Sequence, residues 1–264
     1  MIKLVVADCD GTILDDHKKI DPQLKGVIKL LKQKNIIFTL ATGRNIFLME
    51  EVVQDLDLEY PYIINNGANI YQKNKMIENY SLPKEAVQPI CSILENENFP
   101  FLAYSEKELV IYSKHQLLEG FKEKLKNKLE HIELNPSINF SNIPFFKITI
   151  ATDDVENIKE TKKQIEELFP NINFKRSEGT LFTITSSQAT KGNAIQTLAS
   201  MLGCKKDEIM VFGDNYNDIT MFDVAGVGVA MGNSDETIKK CATHETSDNN
   251  HNGVSEFLIK YFGL

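Results

Sequence analysis

The sequence predicts an α/β protein: a parallel-sheet core split by an inserted α+β domain. Three observations predict it. Short apolar runs alternate with amphipathic helical stretches through Ile64. Between about residues 82 and 187 that alternation gives way to paired runs that read as hairpins, and after Thr190 the first rhythm returns. Parallel strands need helical crossovers, whereas hairpins mark antiparallel pairing. The predicted division is 1–81 with 188–264 for the core, and 82–187 for the insertion. At 264 residues and 42% hydrophobic content, the chain can bury a sizeable core.

The elements follow in order. Residues 2–7, apolar at Ile2 and from Leu4 through Ala7, read as a buried strand. Asp21-Pro22 reads as an N-cap with proline at the first helical position, opening a helix through about Lys34. A strand at 36–40, a helix at 46–56 and a strand Tyr62–Ile64 complete a βαβαβ pattern. It predicts a parallel sheet covered by helices on both faces. In the insertion, 101–104 and 109–112 form one predicted hairpin across Ser105-Glu106-Lys107-Glu108. A charged helix at about 115–130, a strand at 145–150 and a helix to about Phe169 come next. A second hairpin, 173–178 with 180–185, turns at Gly179. Beyond Thr190 the order is helix, strand 209–212, loop, helix and the run Val227–Ala230.

A net charge of -8 argues against a nucleic-acid backbone or an anionic membrane as the main partner. No apolar run approaches the roughly 18 residues of a membrane span, and the first residues lack the basic-then-apolar pattern of a signal peptide. Cys9, Cys91, Cys204 and Cys241 are scattered, without a Cys-x-x-Cys pair. Free thiols and a cytoplasmic location are expected.

Ligands of open parallel sheets sit beyond the carboxyl ends of the strands. There the chain carries Asp8-Cys9-Asp10-Gly11-Thr12, Ala41-Thr42-Gly43-Arg44 and Gly213-Asp214-Asn215-Tyr216-Asn217-Asp218, with Thr190-Lys191-Gly192-Asn193 at a helix start. Strand alternation puts Asp8 and Asp10 on one side, and Gly11 permits a sharp exit. Asp214 and Asp218 join them at the same edge. Four carboxylates in one cleft repel, so a cation is expected; oxygen ligands and a small site favour Mg²⁺, which pairs readily with phosphate. Thr42, the Gly43 amide and Lys191 are donors suited to phosphate oxygens. Cys9 is a second candidate nucleophile, although no basic partner stands near it in sequence. An EF-hand is excluded by spacing: counted from Asp8, its glycine and its final glutamate would fall at Ile13 and Lys19.

These motifs, in this order, resemble the haloacid dehalogenase superfamily of aspartate-nucleophile phosphotransferases. The long insertion, Asn66-Gly67-Ala68 and Asn252-Gly253-Val254 resemble its Cof-type phosphatase branch. The resemblance implies a Rossmann-like core with an inserted α/β cap. It also implies Asp8 as nucleophile and Asp10 as general acid/base. Mg²⁺ would be held by Asp8, the Asp10 carbonyl and Asp214, with Asp218 as a further or alternate ligand. Phosphate would be bound by Thr42, Gly43, Lys191, Asn217 and the backbone amides of Cys9 and Asp10. A raised Asp10 pKa is expected among such acidic neighbours. Two departures from the family pattern are visible: Cys9 replaces the usual bulky aliphatic residue, and 182–187 lack the acidic residue many relatives carry. The implied activity is Mg²⁺-dependent hydrolysis of small phosphorylated metabolites, sugar phosphates foremost. The alternatives are a sugar-phosphate mutase or transferase, and a phospho-accepting regulatory protein without turnover.

Overall fold

A computed structural model describes residues 1–73, 75–106, 108–112, 130–133, 143–178 and 180–264. The chain forms two compact units, Met1–Glu78 with Thr190–Leu264, and Asn79–Ala189.

The first unit opens with β1 (Leu4–Ala7), α1 (Leu24–Gln33), β2 (Ile37–Leu40), α2 (Ile46–Asp55) and β3 (Tyr62–Ile64), followed by β4 (Asn69–Gln72) and β5 (Lys75–Asn79). The second holds α3 (Lys84–Asn96), β6 (Phe101–Tyr104), β7 (Glu108–Tyr112), β8 (Glu130–Glu133), β9 (Lys147–Ala151), α4 (Val155–Leu168), β10 (Ile172–Glu178) and β11 (Leu181–Ser186). The chain then returns to the first unit with α5 (Lys191–Leu202), β12 (Ile209–Gly213), α6 (Ile219–Val224), β13 (Val227–Ala230), α7 (Glu236–Cys241), β14 (His244–Glu245) and α8 (Gly253–Phe262).

The core sheet is parallel throughout, in the order β14-β13-β12-β1-β2. Its interior strand β1, between β12 and β2, is closed to solvent on both faces. Val5 and Ala7 pack with Phe38, Leu40, Met210 and Phe212 in one apolar cluster, while Leu4 and Val6 join Val211, Ile195, Leu198 and Met221 in another. Burying each such large side chain contributes on the order of 1.5–3 kcal/mol. Ala7 stands opposite both Leu40 and Phe212, so β1, β2 and β12 end side by side.

Two expectations are corrected. The third strand does not extend this sheet. It touches β2 through a single parallel bridge, Ala41 with Ile63, and pairs antiparallel with β4 in a separate sheet of order β3-β4-β5. The connection from Ile64 to Asn69 is too short for a parallel crossover, which needs a dozen residues or more. The first helix also begins later than Pro22. Asp21 Oδ1 accepts from the Gln23 amide at 2.8 Å, a local turn that delays the helix to Leu24.

In the second unit a six-stranded sheet has the order β10-β11-β9-β6-β7-β8, antiparallel except between β7 and β8. Strand alternation sends Ile148, Ile150, Phe174, Phe182 and Ile184 to one face, where they pack with Ile90 and Leu94 of α3 and Ile158 and Ile165 of α4. The charged helix predicted at about 115–130 lies outside the described residues, apart from Glu130, which opens β8. Among the described residues no helix is long and apolar enough to cross a membrane.

Candidate active site

Asp8 directly follows β1, and Asp214 directly follows β12. Lys191 is the first residue of α5, whose start is fixed by Thr190: its Oγ1 accepts from the Asn193 amide at 3.1 Å. From that anchored position Lys191 Nζ donates to Asp8 Oδ1 at 2.7 Å and to Asp218 Oδ1 at 2.6 Å. The Lys191 and Asp218 side chains are wholly buried and that of Asp8 is 7% exposed. The other Asp218 oxygen accepts from the amides of Asp214 and Asn215 at 2.9 and 3.0 Å. Asp218 therefore ties the Asp214 loop to the Lys191 ammonium.

Burial is the main force on the ionisation of these groups. It pushes the Asp8 carboxyl up, Lys191 opposes the shift, and the Asp218 and Asp214 charges add to it. Burial also raises Asp214, to about 6, helped by Asp218 and opposed by a Thr12 hydrogen bond. For Lys191, burial favours the neutral amine, but the Asp218 and Asp8 carboxylates outweigh it and hold the ammonium charged.

A cation fits here. Ligand oxygens of Asp8, Asp214 and Asp218 lie within 4.8 Å of one another, all hard carboxylate donors gathered against their own repulsion. Thr12 Oγ1 donates to Asp214 Oδ1 at 3.0 Å and so fixes that carboxylate. Gly11 has φ +75°, and a Cβ there would collide with the Asp214 carboxylate. The glycine after the second acid is thus required both by the turn and by the approach of the β12 loop.

Asp10 departs from expectation. Its carboxylate is not in the cation group. Arg44 Nε donates to Asp10 Oδ2 and Arg44 Nη2 to Oδ1, both at 2.7 Å, and Lys18 Nζ donates to Oδ1 at 2.8 Å. Partial burial would raise the Asp10 carboxyl, but the Arg44 and Lys18 hydrogen bonds prevail and lower it to about 2. The raised pKa expected from acidic neighbours is therefore corrected, because the nearest charges are cationic. Cys9 is corrected as a rival nucleophile. It is fully buried, its Sγ lies 3.9 Å from Met49 Sδ, and burial and the Asp8 charge push its thiol up.

Thr42 and Gly43 follow β2. Thr42 is buried, and its Oγ1 accepts from the Arg44 amide at 3.1 Å, which shapes the loop. Asn217 is exposed, and its Nδ2 donates to Asn66 Oδ1 at 3.0 Å. The structure thus gathers Asp8, Lys191, Asp214 and Asp218 directly, and brings Thr42, Gly43 and Asn217 around the Asn66 turn. Sequence reasoning gave no role to Arg44, Lys18, Thr12 or Asn66. Arg44 and Thr12 stood inside quoted motifs, where a cation beside a phosphate loop and a hydroxyl beside an acid were the available signals. Lys18 carried none.

The chain matches the haloacid dehalogenase-like hydrolase family over residues 5–258. It is 27% identical to the 5-amino-6-(5-phospho-D-ribitylamino)uracil phosphatase YcsE of Bacillus subtilis, across 97% of this chain and 94% of the relative. Identity to YwtE of the same organism, which bears the same activity name, is 25% across 97% of each. Among solved structures, a haloacid dehalogenase-like hydrolase from Bacteroides thetaiotaomicron superposes with a TM-score of 0.84 at 26% identity, covering 99% of this chain and 100% of that one. The sugar phosphatase BT4131, described as subclass IIB of the superfamily, gives 0.82 at 25% identity with 99% of each chain covered.

Proposed function

The chain belongs to the haloacid dehalogenase-like hydrolases, and we propose that it is a Mg²⁺-dependent phosphatase of small phosphate monoesters, sugar phosphates foremost, working through an aspartyl phosphate on Asp8. The observation that carries this reading is the placement of Lys191 between Asp8 and Asp218. The ammonium engages Asp8 Oδ1 and leaves Oδ2 as the attacking atom.

In the first step Asp8 Oδ2 forms a bond to phosphorus and the ester P–O bond breaks, the leaving oxygen taking a proton from Asp10. In the second, water attacks phosphorus, Asp10 accepts its proton, and the P–Oδ2 bond breaks to return Asp8 and inorganic phosphate. Phosphate monoesters are inert enough that stabilisation on the order of 20 kcal/mol or more is required. Lys191 supplies fixed positive charge to the transferring group, and Thr42, Gly43 and Asn217 supply donors to its oxygens. Mg²⁺, held by Asp8, Asp214 and the Asp10 carbonyl with Asp218 behind them, would neutralise charge on the phosphoryl oxygens. Acid catalysis requires Asp10 to free an oxygen from Arg44 and Lys18.

The substrate class rests on relatives named for a phosphoribityl compound and on a structural neighbour described as a sugar phosphatase. Both names describe a phosphate ester on a small hydroxylated carbon chain. Four free cysteines support a reducing, cytoplasmic setting. The test is a panel of sugar, polyol and nucleotide monophosphates assayed for phosphate release with Mg²⁺. Release from small sugar or polyol phosphates is expected. Conversion of a hexose phosphate to an isomer without release would instead identify a mutase, and a stable phosphoenzyme without turnover a regulatory acceptor.

A further inference from the structure

Asn65, Asn66 and Gly67 run through the left-handed region in succession, with φ of 53°, 57° and 96°. That region is unfavourable for residues with a Cβ, and a run of it persists only where the surroundings enforce it. The Asn65 amide donates to the Arg44 carbonyl and the Asn66 amide to the Thr42 carbonyl, both at 2.9 Å. The Asn65 side chain is buried and donates to Asn69 Oδ1 at 2.7 Å. Gly67 lies so close to Thr190 that a Cβ would overlap the Thr190 carbonyl. This turn therefore clamps the Thr42-Gly43-Arg44 loop on one side and the residue before Lys191 on the other.

The Asn66 side chain completes the pattern. Its Oδ1 accepts from Asn217 Nδ2 at 3.0 Å and lies over Gly43, where a Cβ would stand 2.9 Å from that oxygen. Asn66 is half-buried, while Asn217, exposed on its own loop, has this one side-chain hydrogen bond among the described residues. One carboxamide thus bridges a loop that follows β2 and a loop that follows β12.

We propose that Asn66 is a positioning residue of the phosphate site, orienting Asn217 and holding the Gly43 loop at the distance a bound phosphate requires. The proposal rests on the phosphatase reading only in taking phosphate as the anion. Two variants separate a role toward the anion from a role in folding. Asn66→Gly keeps the left-handed backbone and removes the side chain. Asn66→Asp keeps the shape, the acceptor for Asn217 and tolerance of positive φ, but adds a negative charge beside the anion.

The experiment titrates inorganic phosphate into the full-length protein with Mg²⁺ by calorimetry, alongside melting temperature and turnover of p-nitrophenyl phosphate. Asn66→Asp is expected to weaken phosphate binding by about tenfold or more, and Asn66→Gly severalfold. KM should rise more than kcat falls, with melting temperatures within a few degrees of the parent. Phosphate affinities within twofold of the parent in both variants would overturn the proposal, as would a parent that binds no phosphate. A parent that binds phosphate but turns over no ester would overturn the phosphatase reading, while the titration still decides the role of Asn66.

Discussion

Arg44 occupies both oxygens of Asp10, donating from Nε to one and from Nη2 to the other at 2.7 Å. The fork geometry matches a carboxylate better than a lysine could. It ties the loop after β2 to the loop after β1, and the acid it holds is the one the proposed chemistry needs as a proton donor. The Asp10 side chain is 39% exposed, so solvent screens the pair and its contribution to stability is small.

The first prediction concerns acid stability. The folded Asp10 carboxyl is lowered to about 2, against an unfolded value of about 3.9. A depressed acid contributes stability that is present above pH of about 4 and lost as pH falls through about 2. Arg44→Met should shrink that loss, leaving only Lys18 to hold the carboxylate. Melting temperatures measured from pH 6 to 2 should fall less steeply in the variant; parallel curves would contradict the pairing.

A second prediction separates the two acids of the first motif. Asp8→Asn is nearly isosteric and should abolish both phosphoenzyme and turnover without loss of fold. With an activated ester such as p-nitrophenyl phosphate, Asp10→Asn should still form the aspartyl phosphate but hydrolyse it more slowly. Labelled intermediate should then accumulate on Asp8 after acid quench. General acid–base assistance of about 10²–10⁴-fold sets the size of the defect. Label on Cys9, or activity in Asp8→Asn, would refute the assignment.

Lys191 makes the third case. Its ammonium is the positive charge hydrogen-bonded between two buried carboxylates. Removing one partner of a buried pair typically costs about 3–5 kcal/mol. Lys191→Met should lose stability of that order in metal-free buffer at pH 8, and denaturant titration measures it. A loss below about 1 kcal/mol would argue against a buried ion pair at Lys191.

Cation binding supplies the fourth. Asp214 is raised to about 6 and Asp8 is raised as well. Raised acids give the metal-free protein stability that is present below about pH 4 and lost as pH rises through about 6 for Asp214 and about 8 for Asp8. Mg²⁺ competes with protons for the same oxygens. Its addition should therefore raise the melting temperature more at pH 8 than at pH 5. An equal effect at both, or none, would argue against the acid cluster as the binding site.

The α/β rhythm and the motif order were legible because each follows local rules. A run such as Leu4–Ala7, apolar at every position, has few places to go other than the middle of a parallel sheet. The fate of Tyr62–Ile64 was not legible, since its pairing is set by the tight left-handed connection to Asn69 rather than by its own composition. The helix α3 was hidden by Pro89 in its interior, a residue that removes a backbone donor and ordinarily breaks a helix. In the site, the carboxylates could be read from strand ends. The partner of Asp10 could not, because Arg44 reaches it from 34 positions away through tertiary packing alone.

The place of β1 between β12 and β2 has a consequence for synthesis. The strand that leads into Asp8 is made well before its neighbour β12 and the ammonium of Lys191, since Lys191 follows Asp8 by 183 positions. At about 5–20 residues per second, a ribosome needs on the order of 10–40 s to cover that interval. Throughout it the nascent sheet has one open flank, while the uninterrupted stretch 79–189 can complete its own sheet. The acid site is thus completed only after that interval, and a product stalled within it would expose a sticky apolar strand rather than a weakened enzyme.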